Sequence, residues 1–495
     1  MPKVKESVWN RLHKYVKEFP DYKTDGKILF CKLCNIAVSA EKIFTVKQHL
    51  IGSKHIELKE RNLAKKPVQQ FFGEFSGGSK DSQFAEDLCG AFVAADIPLY
   101  KMRNKKILSF LEKYTEHKIP SETTLRTNYV KSLYKTSIDN IKSCINNRFL
   151  WLSIDETTDV ANRYVANVII GVLDPDEEVA KQKFLLNTAQ LDKVNHTTIA
   201  RLFDDSVRML GEDFNKDLIL LFISDAAPYM MKAAHAIQTF YPKITHLTCL
   251  VHGLHRVCEQ IRGLHAEVDR LVANVKKVFL KAPSRVEIFK DLEPGLPLPP
   301  QPITTRWGTW LEAVNYYANY YERIVKVFDA LDAEDAASIK ISQDILRDST
   351  VKADLIFIAS NYGFLEATIT KLETSGLPLA AQIKIVTDAM DAINAVHGNT
   401  GDIIKKKLAS VIDKNLGFPI MKNISASLTG VSVQNEVTEK YTIGEMLAFK
   451  FAPITSVDVE RSFSMYKSVL RANRQSFLFQ NLSEMFVIYC NNNLN

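Results

Sequence analysis

Between Arg148 and Gly263 the chain alternates apolar and amphipathic runs in one fixed order. Residues 148–159 read as an apolar strand that ends in Asp155, residues 164–174 as a second strand and residues 183–191 as a third. An amphipathic helix over 196–210 follows, then a fully apolar strand over 217–225 that ends in Asp225, a helix over 227–240, a short strand over 243–250 and a helix over 251–263. Three strands, a helix, a strand, a helix, a strand and a helix is the order of a ribonuclease-H-like α/β fold. Two of its strands deliver an aspartate to a strand end, where ligands collect on such sheets.

Paired carboxylates carry a specific chemistry. Hydrolysis and transesterification of a phosphodiester use two divalent ions about 3.5–4 Å apart, and hard ions of that kind take oxygen ligands. A single aspartate closing a strand is more often a turn or cap residue; two in this strand order point to metal-dependent chemistry. Glu156 and Asp159 flank Asp155, but alternation turns Glu156 to the other face and Asp159 lies beyond the strand. A third carboxylate is expected from a helix packed on the sheet. Residues 451–477 predict a helix that starts at Thr455 or Ser456 and carries Glu460, with Phe463 and Val469 as its apolar partners. On its own, Glu460 reads equally well as a surface residue paired with Lys467 or Arg461.

The N-terminal region carries a second signal, Cys31-x2-Cys34-x14-His49-x5-His55. Two cysteines on a knuckle and two histidines on a following helix can present two sulfurs and two imidazole nitrogens tetrahedrally, which is zinc chemistry, with one structural ion per chain. So small a domain has a thin core, and the metal is expected to supply much of its folding free energy. Charge is unevenly divided: residues 1–80 hold 16 Lys and Arg against eight Asp and Glu, the first 150 residues carry a net +11, and the remainder carries −5 of the overall +6. That asymmetry suits a polyanion at the N-terminal third.

Residues 63–84 are rich in Gly, Ser and Pro and read as a flexible linker between a 1–62 zinc finger and a helical module over 85–148. Basic residues of this module, including Lys105, Lys106, Arg126 and Lys131, are candidate DNA contacts. Residues 149–265 form the first part of the core, 266–440 an all-helical insertion with a proline-rich loop at 294–302, and 441–495 the second part of the core. Cys249, His252, His255 and Cys258 recur every three residues. Each such step turns a helix by about 300°, so the four fan over half its circumference and cannot all meet one ion.

The stretches around Asp155 and Asp225, the Cys249-x2-His252 block, the Arg306-Trp307 dipeptide and the segment 456–477 resemble, in that order, successive blocks of the hAT superfamily of DNA transposases. The finger resembles the BED-like fingers of those proteins and of CGG-repeat-binding protein. The resemblance implies a catalytic triad of Asp155, Asp225 and Glu460 holding two Mg2+ or Mn2+ ions. It also implies accessory roles beside the site for Cys249 and His252, and for Arg306 and Trp307, with Trp307 stacking on an extruded base. Lys42, Lys47 and Lys54 of the finger would lie near phosphates.

The expected activity is cut-and-paste transposition: binding of double-stranded transposon ends, cleavage that leaves a hairpin on flanking DNA, and joining of the 3′ ends to target DNA, by at least a homodimer in the nucleus. The alternative is a domesticated, catalytically inactive DNA-binding protein of the same descent. Composition excludes other classes. At 46% hydrophobic and 24% charged residues the chain is neither disordered nor fibrous. No apolar run is long enough for a membrane helix, the N-terminus lacks a secretory apolar region, and seven scattered cysteines suit a reducing compartment better than a disulfide framework.

Overall fold

The Asp25 carboxylate accepts hydrogen bonds from the backbone N–H groups of Lys27 and Ile28, and Gly26 takes φ +87°. This turn folds strand β1 (Tyr22–Thr24) onto β2 (Leu29–Cys31), and β3 (Ile36–Val38) completes a small antiparallel sheet. Helix α1 (Val8–Glu18) precedes it, and α2 (Ile43–Leu50) and α3 (Ser53–Leu63) follow. His49 and His55, expected on one helix, therefore lie on two; Gly52, a poor helix former, stands at the break. The computed structural model describes residues 8–34, 36–63, 80–303, 307–431, 439–471, 474 and 477–494. The protein is a mixed α/β structure, mostly helical, with a small Cys/His cluster near its N-terminus.

Most of the stretch read as a linker, residues 64–79, lies outside the described residues, and residues 80–84 are already the start of α4 (Lys80–Ala94). Helices α5 (Lys105–Tyr114), α6 (Glu122–Thr124) and α7 (Val130–Ile145) follow. Ser121 caps α6 by accepting from the Thr124 N–H. This module shares its core with the far end of the chain: Cys89, Val93, Leu125 and Val130 pack with Met485 and Ile488.

The central sheet contains β4 (Phe149–Thr158), β5 (Tyr164–Leu173), β6 (Lys183–Leu191), β7 (Ile219–Ser224) and β8 (Thr245–Thr248), in the spatial order β6-β5-β4-β7-β8. The first three strands are antiparallel; β7 and β8 run parallel to β4. Helices α8 (Glu177–Ala180), α9 (His196–Arg208), α10 (Pro228–Phe240) and α11 (Leu250–Leu264) connect or follow them. All six residues of β7 are buried. Each large apolar side chain so removed from water is worth about 1.5–3 kcal/mol, which holds β7 inside the sheet rather than at its edge.

From residue 266 to 431 every regular element is helical among the described residues: α12 (Ala266–Phe279), α13 (Pro283–Leu292), α14 (Trp307–Asp329), α15 (Ala337–Leu346), α16 (Ser349–Tyr362), α17 (Phe364–Leu372), α18 (Leu379–Asn394), α19 (Asn399–Asp413) and α20 (Gly417–Leu428). Further along, the described residues include the helices α21 (Ile443–Ala448), α22 (Val457–Val469) and α23 (Phe479–Asn493). Helix α22 packs on β4 and β5, and α23 on β6 and α7. A buried polar chain fixes α22: the Thr188 hydroxyl donates to Asn167 Oδ1 at 2.9 Å, and Asn167 Nδ2 donates to Ser462 Oγ at 2.8 Å. Satisfied networks of this kind specify one packing arrangement, since any shift would strand a buried polar group.

Candidate metal centre and acidic edge

Cys31 ends β2, Cys34 sits in the turn after it, and His49 and His55 come from α2 and α3. Their ligand atoms all lie within 4.8 Å of one another, forming a Cys2His2 cluster. Nδ1 of His55 is 3.4 Å from each sulfur, and its Nε2 lies 3.3 Å from Asp21 Oδ2. His49 Nε2 is buried with no hydrogen-bond partner among the described residues. Two thiols, an imidazole turned toward them by a carboxylate and a second imidazole with an unsatisfied nitrogen fit a tetrahedral zinc ion. Burial, with His55 nearby, holds the His49 pKa below its usual value, which favours the neutral, ligating form. The sequence reading did not include Asp21; no spacing rule marks an orienting carboxylate ten residues before the first cysteine.

At the sheet, β4 and β7 pair in parallel up to Ser153 beside Ile223. Continuing that register by two residues sets Asp155 beside Asp225. Asp155 does not end its strand, as the apolar run suggested, because β5 keeps pairing with β4 as far as Thr158 and Tyr164. It stands where the parallel half of the sheet stops. Asp225 Oδ1 accepts the Ala227 N–H at 3.1 Å, which starts α10 with Pro228 in its first turn.

Burial, reinforced by the Glu156 and Asp225 charges, pushes the Asp155 carboxyl up to about 7. Glu156 is raised as well, chiefly by burial, although it accepts a hydrogen bond from the Tyr229 hydroxyl on α10. The Glu156 carboxylate, expected on the other face, is within electrostatic reach of Asp155 and Asp225. Its Oε2 is buried without a hydrogen-bond partner among the described residues. Asp159 lies beyond the strand, as expected, and is occupied elsewhere. It accepts from Arg163 Nε at 2.8 Å and from the Tyr466 hydroxyl at 3.1 Å.

Glu460 comes one turn into α22. His252 Nε2 on α11 lies 3.5 Å from Glu460 Oε1, while Arg461 pairs with Asp458. Ser456, the residue before α22, is buried and joins the two helices. Its N–H donates to Cys249 Sγ at 3.2 Å, and its hydroxyl lies 3.3 Å from His252 Nδ1. Burial opposes charge on His252, but Cys249, Glu460 and Asp155 overcome it and raise the imidazole to about 10. The three carboxylates do not form so tight a group as the Cys/His cluster. Sequence spacing marked Ser456 as a helix start and gave no sign of its link to Cys249 and His252.

Lys42, Lys54, Lys105, Lys106 and Lys131 are exposed. Lys47 lies 4.0 Å from Glu18, and Arg126 is turned onto the buried Glu122. Arg306 lies outside the described residues, and so does the side chain of Trp307, whose backbone begins α14. The neighbouring Trp310 is a core residue, 2% exposed.

A family model described as a domain of unknown function, DUF659, matches residues 120–278. The match takes in the whole central sheet, with Asp155, Asp225, Cys249 and His252, and stops before Glu460. A search of curated proteins finds no match. No helix among the described residues is long and apolar enough to cross a membrane.

Proposed function

We propose that this chain is a cut-and-paste DNA transposase of the hAT type, built on a ribonuclease-H-like core. The observation that carries the reading is the β4/β7 register, which brings Asp155 and Asp225 together where the parallel strands stop. The DUF659 domain, which occurs in hAT-like transposase-family proteins, supports it. Glu460 arrives beside His252 from a helix more than 200 residues further along, as a third acidic ligand should.

The donor set fits divalent metal: hard oxygen ligands, one of them raised by burial and by neighbouring like charges, and the buried Glu156 Oε2 without a hydrogen-bond partner among the described residues. Bound Mg2+ or Mn2+ would activate the attacking oxygen and stabilise the leaving one. In this reading Asp155, Asp225 and Glu460 hold the ions. His252 orients Glu460, and Ser456 fixes His252 and the Cys249 sulfur at the start of the same helix. The finger, with zinc on Cys31, Cys34, His49 and His55, and the basic helical module hold double-stranded DNA by its phosphates. Two transposon ends must be brought together, so the acting form is at least a homodimer, working in the nucleus.

The test is incubation of the purified protein with DNA carrying its element's ends and Mn2+, followed by detection of nicks and hairpins. Asp225→Asn and Glu460→Gln should each abolish both products while binding DNA as before. Cleavage that survives either substitution would remove the triad. A wild-type protein that binds the ends and never cuts them would instead mark a domesticated DNA-binding descendant.

A further inference from the structure

One turn beyond His252 on α11 stands Arg256, and directly across from it lies α19. The two helices approach closely at Gly253, where an added Cβ would sit 3.0 Å from Val411 Cγ1. Lys407, Val411 and Lys414 follow one another at spacings of four and three, so they share a stripe of α19 and its C-terminal end. With Val411 seated on Gly253, the two lysines flank the helix crossing.

The next residue, Asn415, is buried and pins this end of the insertion to the sheet: its Oδ1 accepts the Thr248 N–H at 3.1 Å, and its Nδ2 donates to the Thr248 carbonyl at 2.8 Å. A cleft of about 60 Å3 results, lined by Arg256, Lys407 and Lys414 together with Ala226, Thr248 and Cys249. Ala226 and Cys249 are the residues next to Asp225 and after the end of β8. Among the described residues none of the three cations has a carboxylate within 4.0 Å, whereas Lys183, Lys243 and Arg262 elsewhere on this core do. Three like charges held together by a rigid helix crossing repel one another, and the arrangement becomes favourable when an anion enters.

We propose that Arg256, Lys407 and Lys414 form a phosphate-binding subsite for double-stranded DNA, gripping a backbone phosphate beside the one presented to the acidic edge. The inference rests on the transposase reading for the identity of the polyanion, but the cleft's preference for phosphate stands on its own geometry. The insertion thereby takes a direct part in substrate binding through α19, on the side of Asp225 away from the finger's lysines in sequence.

The experiment uses the full chain, wild type and the triple variant Arg256→Gln, Lys407→Gln, Lys414→Gln. A control replaces three exposed lysines of the same insertion, Lys290, Lys340 and Lys371, with glutamine. Binding of a fluorescent duplex is followed by anisotropy over a salt series without added divalent ions. The triple variant should bind about tenfold more weakly, and its log K against log salt slope should be shallower by about 0.9, the loss of one phosphate contact. The control should match the wild type, and melting temperatures should agree, which separates a DNA contact from a role for Lys414 at the end of α19.

Unchanged affinity and slope in the triple variant would overturn the proposal. So would a melting temperature raised by inorganic phosphate in the wild type alone with DNA binding unaffected, which would assign the cleft to free phosphate. Nicking assays separate this inference from the one it rests on. A wild type that never cuts, with the triple variant still losing DNA affinity, removes the nuclease and keeps the subsite; a triple variant that cuts with unchanged KM removes the subsite alone.

Discussion

His252 Nε2 lies 3.5 Å from Glu460 Oε1, and its other ring nitrogen lies 3.3 Å from Ser456 Oγ. One imidazole thus spans two residues of the same helical start, 204 and 208 positions further along the chain. In the reading proposed above it orients Glu460, so its removal should act through that carboxylate rather than through the fold.

His252→Ala is expected to slow Mn2+-dependent nicking by roughly 10- to 100-fold, the usual cost of losing a residue that orients a metal ligand. The loss should appear as a higher Mn2+ requirement, with the melting temperature little changed. Nicking rates measured across a Mn2+ series check it; a slower rate at every concentration with an unchanged Mn2+ midpoint would contradict an orienting role.

Asp21→Asn should weaken zinc binding by roughly 10- to 100-fold through loss of the His55 Nε2 contact, while Cys34→Ser should abolish it. Competition against a chromogenic chelator measures both. The wild type should release one zinc per chain, and the central sheet should keep its circular dichroism after release.

The buried His246 imidazole, 2.9 Å from Ser224 Oγ, is held neutral by burial down to about 4 against an ordinary 6.5. The unfolded chain therefore binds a proton that the folded one refuses between those values. Its contribution is full above pH 6.5 and is lost as the pH falls toward 4, by up to about 3 kcal/mol at 1.36 kcal/mol per unit. Denaturant titrations at pH 7 and pH 4.5 should show a smaller loss of stability on acidification for His246→Gln than for the wild type; equal losses would contradict the assignment.

Arg163, 1% exposed, is paired with Asp159 and lies 3.7 Å from Asp25 in the turn of the finger. Removing either member of the inner pair leaves an uncompensated buried charge. Asp159→Ala should cost roughly 3–5 kcal/mol in chemical denaturation, and Asp25→Ala, which loses the longer Arg163 contact together with the two turn hydrogen bonds from Lys27 and Ile28, less than that.

Much of this arrangement was legible in the sequence for local reasons. The strands between residues 149 and 248 are short apolar runs with clear stops, and Cys31, Cys34, His49 and His55 carry their chemistry in their spacing. The helix beginning after Ser456 announces itself by its polar start and apolar stripe. What escaped is non-local. Nothing near Glu460 in the chain points to His252, because their meeting depends on α11 and α22 packing side by side. Asp155 looked like a strand end because the apolar run stops there, yet pairing with β5 carries the strand three residues further. Period-2 alternation set Glu156 apart from Asp155, but it cannot show that Tyr229 holds the Glu156 carboxylate within electrostatic reach of the same edge. Asn415 sits in an ordinary polar loop by sequence, and only the sheet end beside it gives it a task.

The third acidic residue enters the sheet from α22, behind a helical insertion of more than 160 residues. During synthesis, the ribosome releases Asp155 and Asp225 long before Glu460 exists, and α23, which packs in the core around Met485, comes later still. On the function proposed above, an unfinished polypeptide therefore carries two of the three carboxylates and lacks the helix that brings Glu460 beside His252. If the proposed nuclease activity holds, the order of the chain itself delays cutting until synthesis has passed α22.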